Sequence, residues 1–212
     1  METGSSLKAL ILGLIEGATE FLPISSTGHL IFFGNLIRFD ETYSEVFDIS
    51  IQSGALLAVV LYYRKDFIDI VTFRDRELLR SLTIAFFPIG VFGLLFGKFI
   101  LENLFDTLFV GLSFIVGALL MLHVELLHRK EKQRINSVRN ISKNSAIKIG
   151  LVQTLALIPG FSRSGAAIIG GMYFGLNRST ATNFSFLLAV PVILSATIYS
   201  LYLKFEEINI EN

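Results

Sequence analysis

The sequence predicts an all-α polytopic membrane protein, built on an inverted repeat with two re-entrant helix–break–helix hairpins and four visible transmembrane helices. Three observations carry this. The 212-residue chain is 52% hydrophobic and 17% charged, with a mean hydropathy of +0.64, whereas a soluble domain carries about 25% charge. Several apolar runs approach the ~20 residues that a helical crossing needs. Two further apolar runs are interrupted by proline and polar residues, and these two resemble each other.

The first broken run is 7–37. Its centre reads GLIEGATEFLPISSTGHL and places Glu16, Glu20, Pro23, Ser25, Ser26, Thr27 and His29 between apolar flanks. Pro23 lacks an N–H and disfavours helix at the residue before it, so the first half-helix ends there. Irregular backbone at membrane depth is tolerated only where protein or a water-filled cavity surrounds it. The run therefore reads as a hairpin that enters and leaves on one side. Crossings follow at about 46–63, 82–101 and 107–127. The first of these carries Asp48 and Gln52, which are expected to face protein. The second broken run, 145–176, is interrupted by PGFSRSG at 159–165, and a last crossing covers about 183–203 with Pro191 inside it.

Basic residues set the expected sidedness. Loop 64–80 holds Arg64, Lys65, Arg74, Arg76 and Arg80; loop 128–148 holds Arg129, Lys130, Lys132, Arg134, Arg139, Lys143 and Lys148. Both are expected on the cytoplasmic side. The 7–37 hairpin then opens to the outer face and the 145–176 hairpin to the inner face.

The two broken runs align at an offset of 137: GLIE at 13–16 with GLVQ at 150–153, Ser25, Thr27 and Gly28 with Ser162, Ser164 and Gly165, Phe47 with Phe184, and Tyr62 with Tyr199. Three crossings lie between the hairpins, so the halves have opposite topology. That is an arrangement of many secondary transporters. One membrane domain over 1–212 is expected, with repeat 1 at about 7–130 and repeat 2 at about 145–212. The second repeat shows two crossings fewer than the first, on the order of 60 residues.

Composition excludes other classes. Net charge is zero and Cys is absent, which removes a bulk-charge argument for nucleic acid and excludes disulfides, thiolate metal sites and Cys nucleophiles. The N-terminus lacks a signal-peptide cleavage pattern and reads as that of the mature protein.

The chemistry concentrates in the two polar islands, because ionisable groups in hydrocarbon are costly and mark functional cavities. Glu16 and Glu20 are four apart and share a helix face. A divalent cation or an arginine between them lets both stay ionised, and hard cations such as Mg²⁺ commonly bridge carboxylates to substrate phosphates. Ser25, Ser26 and Thr27 open the second half-helix, whose free N–H groups form an anion site. His29, three residues after Ser26, is a candidate general base or acid; His123 and His128 read as interfacial bystanders. Ser162, Arg163, Ser164 and Gly165 open the matching half-helix of the second hairpin, and the Arg163 guanidinium suits bidentate phosphate binding. These residue types point to phosphate-ester or diphosphate chemistry on an amphiphile with its tail in lipid.

At these motifs the chain resembles the bacterial undecaprenyl-diphosphate phosphatases of the bacitracin-resistance type. EGATEFLPISSTGHL matches their first motif region, PGFSRSG their second, and FSFLLAVP at 184–191 also fits. The resemblance implies Glu20, Ser26, His29 and Arg163 as catalytic residues. It implies Ser25, Thr27, Ser162, Arg163, Ser164 and Gly165 around the substrate, and Glu16 and Glu20 as ligands of a divalent cation, Mg²⁺ with Ca²⁺ as the alternative. It further implies a multi-pass protein of the bacterial cytoplasmic membrane whose site faces outward. There it would hydrolyse undecaprenyl diphosphate to the monophosphate and phosphate, recycling the lipid carrier for cell-wall synthesis. Bacitracin would compete by binding the substrate, no nucleic acid is involved, and a homodimer is compatible. Two departures stand out: Ala167 occupies a position where the family usually has Thr, and family members continue through further crossings, six being the family expectation. The expected mechanism has Ser26 attack the terminal phosphorus with His29 as its base, or His29 activate water directly. The rivals are a flippase or transporter of a polyprenyl-phosphate-like lipid and an inactive fragment.

Overall fold

The computed structural model describes residues 3–39, 44–104, 106–128 and 135–210. Among the described residues there are nine α-helices: α1 (Thr3–Thr19), α2 (Ser26–Ile37), α3 (Ser44–Tyr62), α4 (Arg64–Val71), α5 (Arg76–Asn103), α6 (Thr107–His128), α7 (Lys143–Gln153), α8 (Arg163–Tyr173) and α9 (Arg178–Ile210). Among the described residues there is no strand, and one isolated parallel bridge joins Ile135 to Leu176. The all-α polytopic expectation holds. Three stretches are long and apolar enough to cross a membrane (Arg76–Ile100, Leu108–Leu127 and Arg178–Tyr202), and a shorter apolar one covers Ser50–Tyr62 in α3. Both broken runs form two helices around a break, α1–α2 and α7–α8; α9 after the second is long and apolar enough to cross, whereas α3 after the first, expected as a fourth crossing, carries only the shorter apolar stretch.

The exterior has the polarity of a lipid-facing surface. Leu94, Leu95, Leu108, Ile115 and Leu119 are exposed on α5 and α6. The interior is built where α5, α7, α8 and α9 meet, on Leu78, Ala85, Ile149, Ile168, Phe184 and Leu188. Every residue of α8 from Ser164 to Met172 is buried. Small residues permit this density: a Cβ on Gly150 of α7 would lie 2.3 Å from the Ala85 carbonyl oxygen of α5, so only glycine allows the two backbones to approach so closely.

One expectation is corrected. Loop 64–80 is not all loop, since it contains α4, and α5 begins at Arg76, well before residue 82. The charges of α4 resemble a solvated loop, but Tyr63, Phe67 and Ile70 pack against the core, and this tertiary burial stabilises a helix too short to persist alone. The start of α5 is set by Asp75, whose carboxylate accepts from the Leu78 N–H at 3.0 Å, a standard N-cap.

Polar contacts locate the ends of the bundle. Arg139 donates to Asp75 at 2.5 Å and to Asp66 at 2.8 Å, so the two basic loops meet at one end. Asn177 bonds Asn136 at 2.9 Å, and Arg178 pairs with Glu125, which ties the start of α9 to the same loop region. Lys8 donates to the Arg38 carbonyl at 2.9 Å, so the first hairpin starts and ends together. Arg129, Lys130, Lys132 and Arg134, cited above for sidedness, lie outside the described residues, as do the side chains of Asp48 and His128. His123 is exposed on α6.

Candidate active site

The first break follows α1 at Thr19, whose hydroxyl bonds the Ile15 carbonyl at 2.7 Å. Glu20 retains one helical bond, its N–H reaching the Glu16 carbonyl at 2.9 Å. The chain then turns through Pro23 to Ser25, which stands at φ 60° just before α2. A non-glycine residue there carries strain, of the kind that clusters at functional sites. The second break leads through Pro159 to Ser162, whose Oγ caps α8 by accepting from the Gly165 N–H at 3.1 Å.

The two breaks are joined to each other. Interrupting a helix leaves carbonyls without intrahelical partners. The Leu22 carbonyl accepts from Ser164 Oγ at 2.8 Å and from Ser162 Oγ at 3.5 Å, so hydroxyls of the second hairpin complete the first. Ser164 is fully buried in this seam.

Beside the seam lies a charged cluster. Arg163 Nη2 donates to Glu20 Oε1 at 2.9 Å, the side chains being 12% and 10% exposed. Ser26 Oγ donates to the other carboxylate oxygen, Glu20 Oε2, at 2.5 Å. Arg163 Nη1 donates to the Ser185 carbonyl at 3.0 Å and lies 3.5 Å from its hydroxyl. Its Nε is buried without a hydrogen-bond partner among the described residues. Buried donors are nearly always paired, so this N–H is a donor in hand for an anion. Charge-assisted bonds of this kind are about twice as strong as neutral ones, and each partner is costly to remove.

The described contacts of His29 are with a backbone carbonyl and two aromatic rings. Its Nδ1 lies 2.8 Å from the Ser25 carbonyl. A carbonyl only accepts, so Nδ1 carries the proton and a neutral ring has Nε2 as its free base. The ring stands edge-on to Phe114 at 6.1 Å and stacked on Phe33 at 6.5 Å. Ser26 thus turns to Glu20 and not to His29. His29 is three residues along α2 from Ser26, whereas Glu20 is six residues back across the break, and the carboxylate is the stronger acceptor.

Glu16 is 0% exposed, while Glu20 already engages both oxygens. Among the described residues no group of three His, Cys, Asp or Glu side chains is placed to hold a metal ion. Mg²⁺ commonly takes only one or two carboxylates from the protein, and Glu16 and Glu20 are the two carboxylates at this break.

Two cavities lie near the breaks, and neither is lined by Glu20, Ser26 or Arg163. One, of about 290 Å³, is lined by Ser25, His29, Ser113, Phe114 and Ser162, with Gly165 at its wall. The other, of about 570 Å³, is an apolar groove along α1 and α3, with Gly17, Phe21, Ala58, Tyr62 and Phe186 on its walls. Thr27 is half-buried. Ser113 and Phe114 of α6 were missed in the sequence reading. Their one local signal is a serine inside an otherwise apolar span, and its Oγ is spent on the Phe109 carbonyl at 2.8 Å. Gly28 makes room for the α6 wall: a Cβ there would lie 2.0 Å from the Phe114 ring.

With this geometry in place, comparison with known proteins is informative. The family described as bacitracin resistance protein BacA matches residues 9–212. A protein of Methylobacillus flagellatus named undecaprenyl-diphosphatase is 49% identical over 206 residues, covering 94% of this chain and 77% of that protein. Proteins of the same name from Neisseria meningitidis and Dechloromonas aromatica are 51% and 49% identical, covering 91% and 92% of this chain and 72% and 73% of their own lengths.

Proposed function

This chain belongs to the bacitracin resistance protein BacA family, and from that premise we propose that it hydrolyses undecaprenyl diphosphate to undecaprenyl phosphate and inorganic phosphate. The observation that carries the reading is the pairing of Ser26 and Arg163, from different hairpins, on the one carboxylate of Glu20. The cluster has a nucleophile, a base in contact with it and a cation.

In this mechanism Arg163 and the N–H groups opening α2 and α8 hold the diphosphate. Ser26 Oγ attacks the terminal phosphorus as its proton passes to Glu20 Oε2. A Ser26–phosphate bond forms, and the bond from that phosphorus to the bridging oxygen breaks, releasing the lipid monophosphate. Water, deprotonated by His29 Nε2, then cleaves the phosphoserine, freeing phosphate and restoring Ser26. Glu16 and Glu20 are proposed as the residues that would hold a divalent cation, Mg²⁺ or Ca²⁺, brought by the diphosphate, once Arg163 has exchanged Glu20 for the diphosphate. When bound, the cation supplies charge neutralisation at the phosphoryl oxygens. Ser25, Thr27, Ser162 and Gly165 are proposed around the headgroup; Ser164 contributes by holding the two breaks together. The prenyl tail is proposed to lie in the apolar groove beside Phe21.

The wider setting belongs to the same proposal. The molecule is divided into repeats at about 7–130 and 145–212 in the bacterial cytoplasmic membrane. Its site faces outward and regenerates the lipid carrier for cell-wall polymers, in competition with bacitracin for the lipid diphosphate.

The test is phosphate release from a lipid diphosphate by detergent-solubilised protein. Ser26→Ala is expected to abolish turnover while thermal stability is retained; release at near wild-type rate would remove Ser26 as nucleophile. Lipid movement across proteoliposomes without phosphate release would favour a flippase instead.

A further inference from the structure

The turn that ends α4 has no role in the site above, yet it is strained, apolar and exposed at once. The Phe73 N–H bonds the Ile70 carbonyl at 3.0 Å, and the Arg74 N–H reaches back to the Asp69 carbonyl at 2.8 Å. This paired-bond ending normally has glycine at the left-handed position. Here the position is Phe73, at φ 56°, where a bulky residue is an outlier. Side-chain packing among the described residues does little to offset that strain, because Phe73 is 63% exposed. Ile68 and Val71, three apart on the same side of α4, are 55% and 72% exposed. The inward side is already satisfied by Phe67 and Ile70 on the core.

The charges around this patch are one-sided once their partners are assigned. Asp66 and Asp75 are taken by Arg139, and Glu77 by Arg80. Asp69 is half-buried. Arg64, Lys65, Arg74 and Arg76 are exposed, and none is ion-paired among the described residues. Four cations without an ion-pair partner among the described residues thus surround three exposed apolar side chains, Arg64 also donating to the Leu61 carbonyl at 3.4 Å. The patch also lies between two apolar stretches: α4 follows Ser50–Tyr62 directly, and the next candidate span starts at Arg76.

We propose that α4 and the Phe73 turn form an anionic-phospholipid site, with Ile68, Val71 and Phe73 seated below the headgroups and Arg64, Lys65, Arg74 and Arg76 on the lipid phosphates. A free apolar face bordered by basic side chains is the chemistry of an interfacial anchor. Each Lys or Arg near an anionic surface adds to the attraction, and the long basic side chains reach the headgroups while their stems stay in apolar surroundings. The hydrocarbon supplies for Phe73 the burial that the protein does not.

The chain contains no Trp, so Phe73→Trp introduces a single indole reporter. The full-length variant is reconstituted in phosphatidylcholine vesicles carrying matched mole fractions of brominated phosphatidylglycerol or brominated phosphatidylcholine. The expected result is blue-shifted emission, quenched about twofold more strongly by the brominated phosphatidylglycerol. Adding Arg74→Glu and Arg76→Glu is expected to lower that quenching to the phosphatidylcholine level while leaving phosphate release unchanged. Water-like emission without quenching, or equal quenching by both lipids before charge reversal, would overturn the site. Phe73→Gly gives a second reading: it is expected to raise the thermal midpoint in detergent lacking anionic lipid, and to gain less than the parent when phosphatidylglycerol is added. An equal gain in both proteins would also overturn it.

Discussion

Ser26 and Arg163 grip the same carboxylate from opposite hairpins. Ser26 holds Glu20 Oε2 at 2.5 Å and Arg163 holds Oε1 at 2.9 Å. The two residues lie 137 positions apart, and each is the first residue of the second helix in its hairpin. At this offset of 137 the same position holds a hydroxyl in one hairpin and a guanidinium in the other.

Arg163→Lys is therefore not conservative. Lysine keeps the charge but lacks the planar fork that reaches Glu20 and the Ser185 carbonyl together, and it removes Nε. A loss of about 10²-fold in kcat/KM is expected, measured as steady-state phosphate release. Activity within a few-fold of the parent would show that only the charge at this position counts.

Glu20→Gln separates the base from the scaffold. The amide is similar in shape but does not take the Ser26 proton, and it leaves Arg163 without its counter-charge. The expected outcome is a fall of about 10²–10⁴-fold in kcat together with destabilisation of about 3 kcal/mol, read by thermal unfolding in detergent. Loss of stability with unchanged kcat would restrict Glu20 to a structural role.

At Gly28 the prediction concerns space. A methyl group there meets the Phe114 ring at 2.0 Å, so Gly28→Ala forces α2 from α6 and disturbs His29, which packs on the same ring. A cost of about 1–3 kcal/mol is expected. Gly28→Ala with Phe114→Ala should recover part of the activity lost in the single variant; no recovery would mean that the clash lies elsewhere.

Arg139 clasps α4 to the start of α5. Burial opposes its charge, but hydrogen bonds to Asp66 and Asp75 outweigh this and hold its pKa above the ordinary arginine value. A base held above its unfolded value loses its stabilising effect only as pH rises through the folded value, far beyond working conditions. The clasp should therefore not weaken between pH 7 and 9. Arg139 is 48% exposed, so screening limits Arg139→Met to about 1 kcal/mol, shrinking in high salt. A thermal-unfolding series in salt checks both statements.

Residue chemistry alone established much of this protein. The apolar runs marked three stretches able to cross a membrane, Pro23 and PGFSRSG marked both breaks, and Glu20, Ser26, His29 and Arg163 stood out as polar residues at those breaks. All of these are local signals: a proline removes a donor, and a charge in an apolar run stands out whatever the fold. Tertiary structure alone decided the partners. Glu20 meets a guanidinium 143 residues away, Ser26 turns to that carboxylate and not to His29, Ser164 closes the Leu22 carbonyl, and α6 brings Ser113 and Phe114 to the cavity. Short charged α4 became a helix because Phe67 and Ile70 found a core. The physical reason is that buried hydrogen-bonding groups must be satisfied by whichever partner the packed helices bring within reach. That reach depends on contacts between residues far apart in the chain, which no local pattern contains.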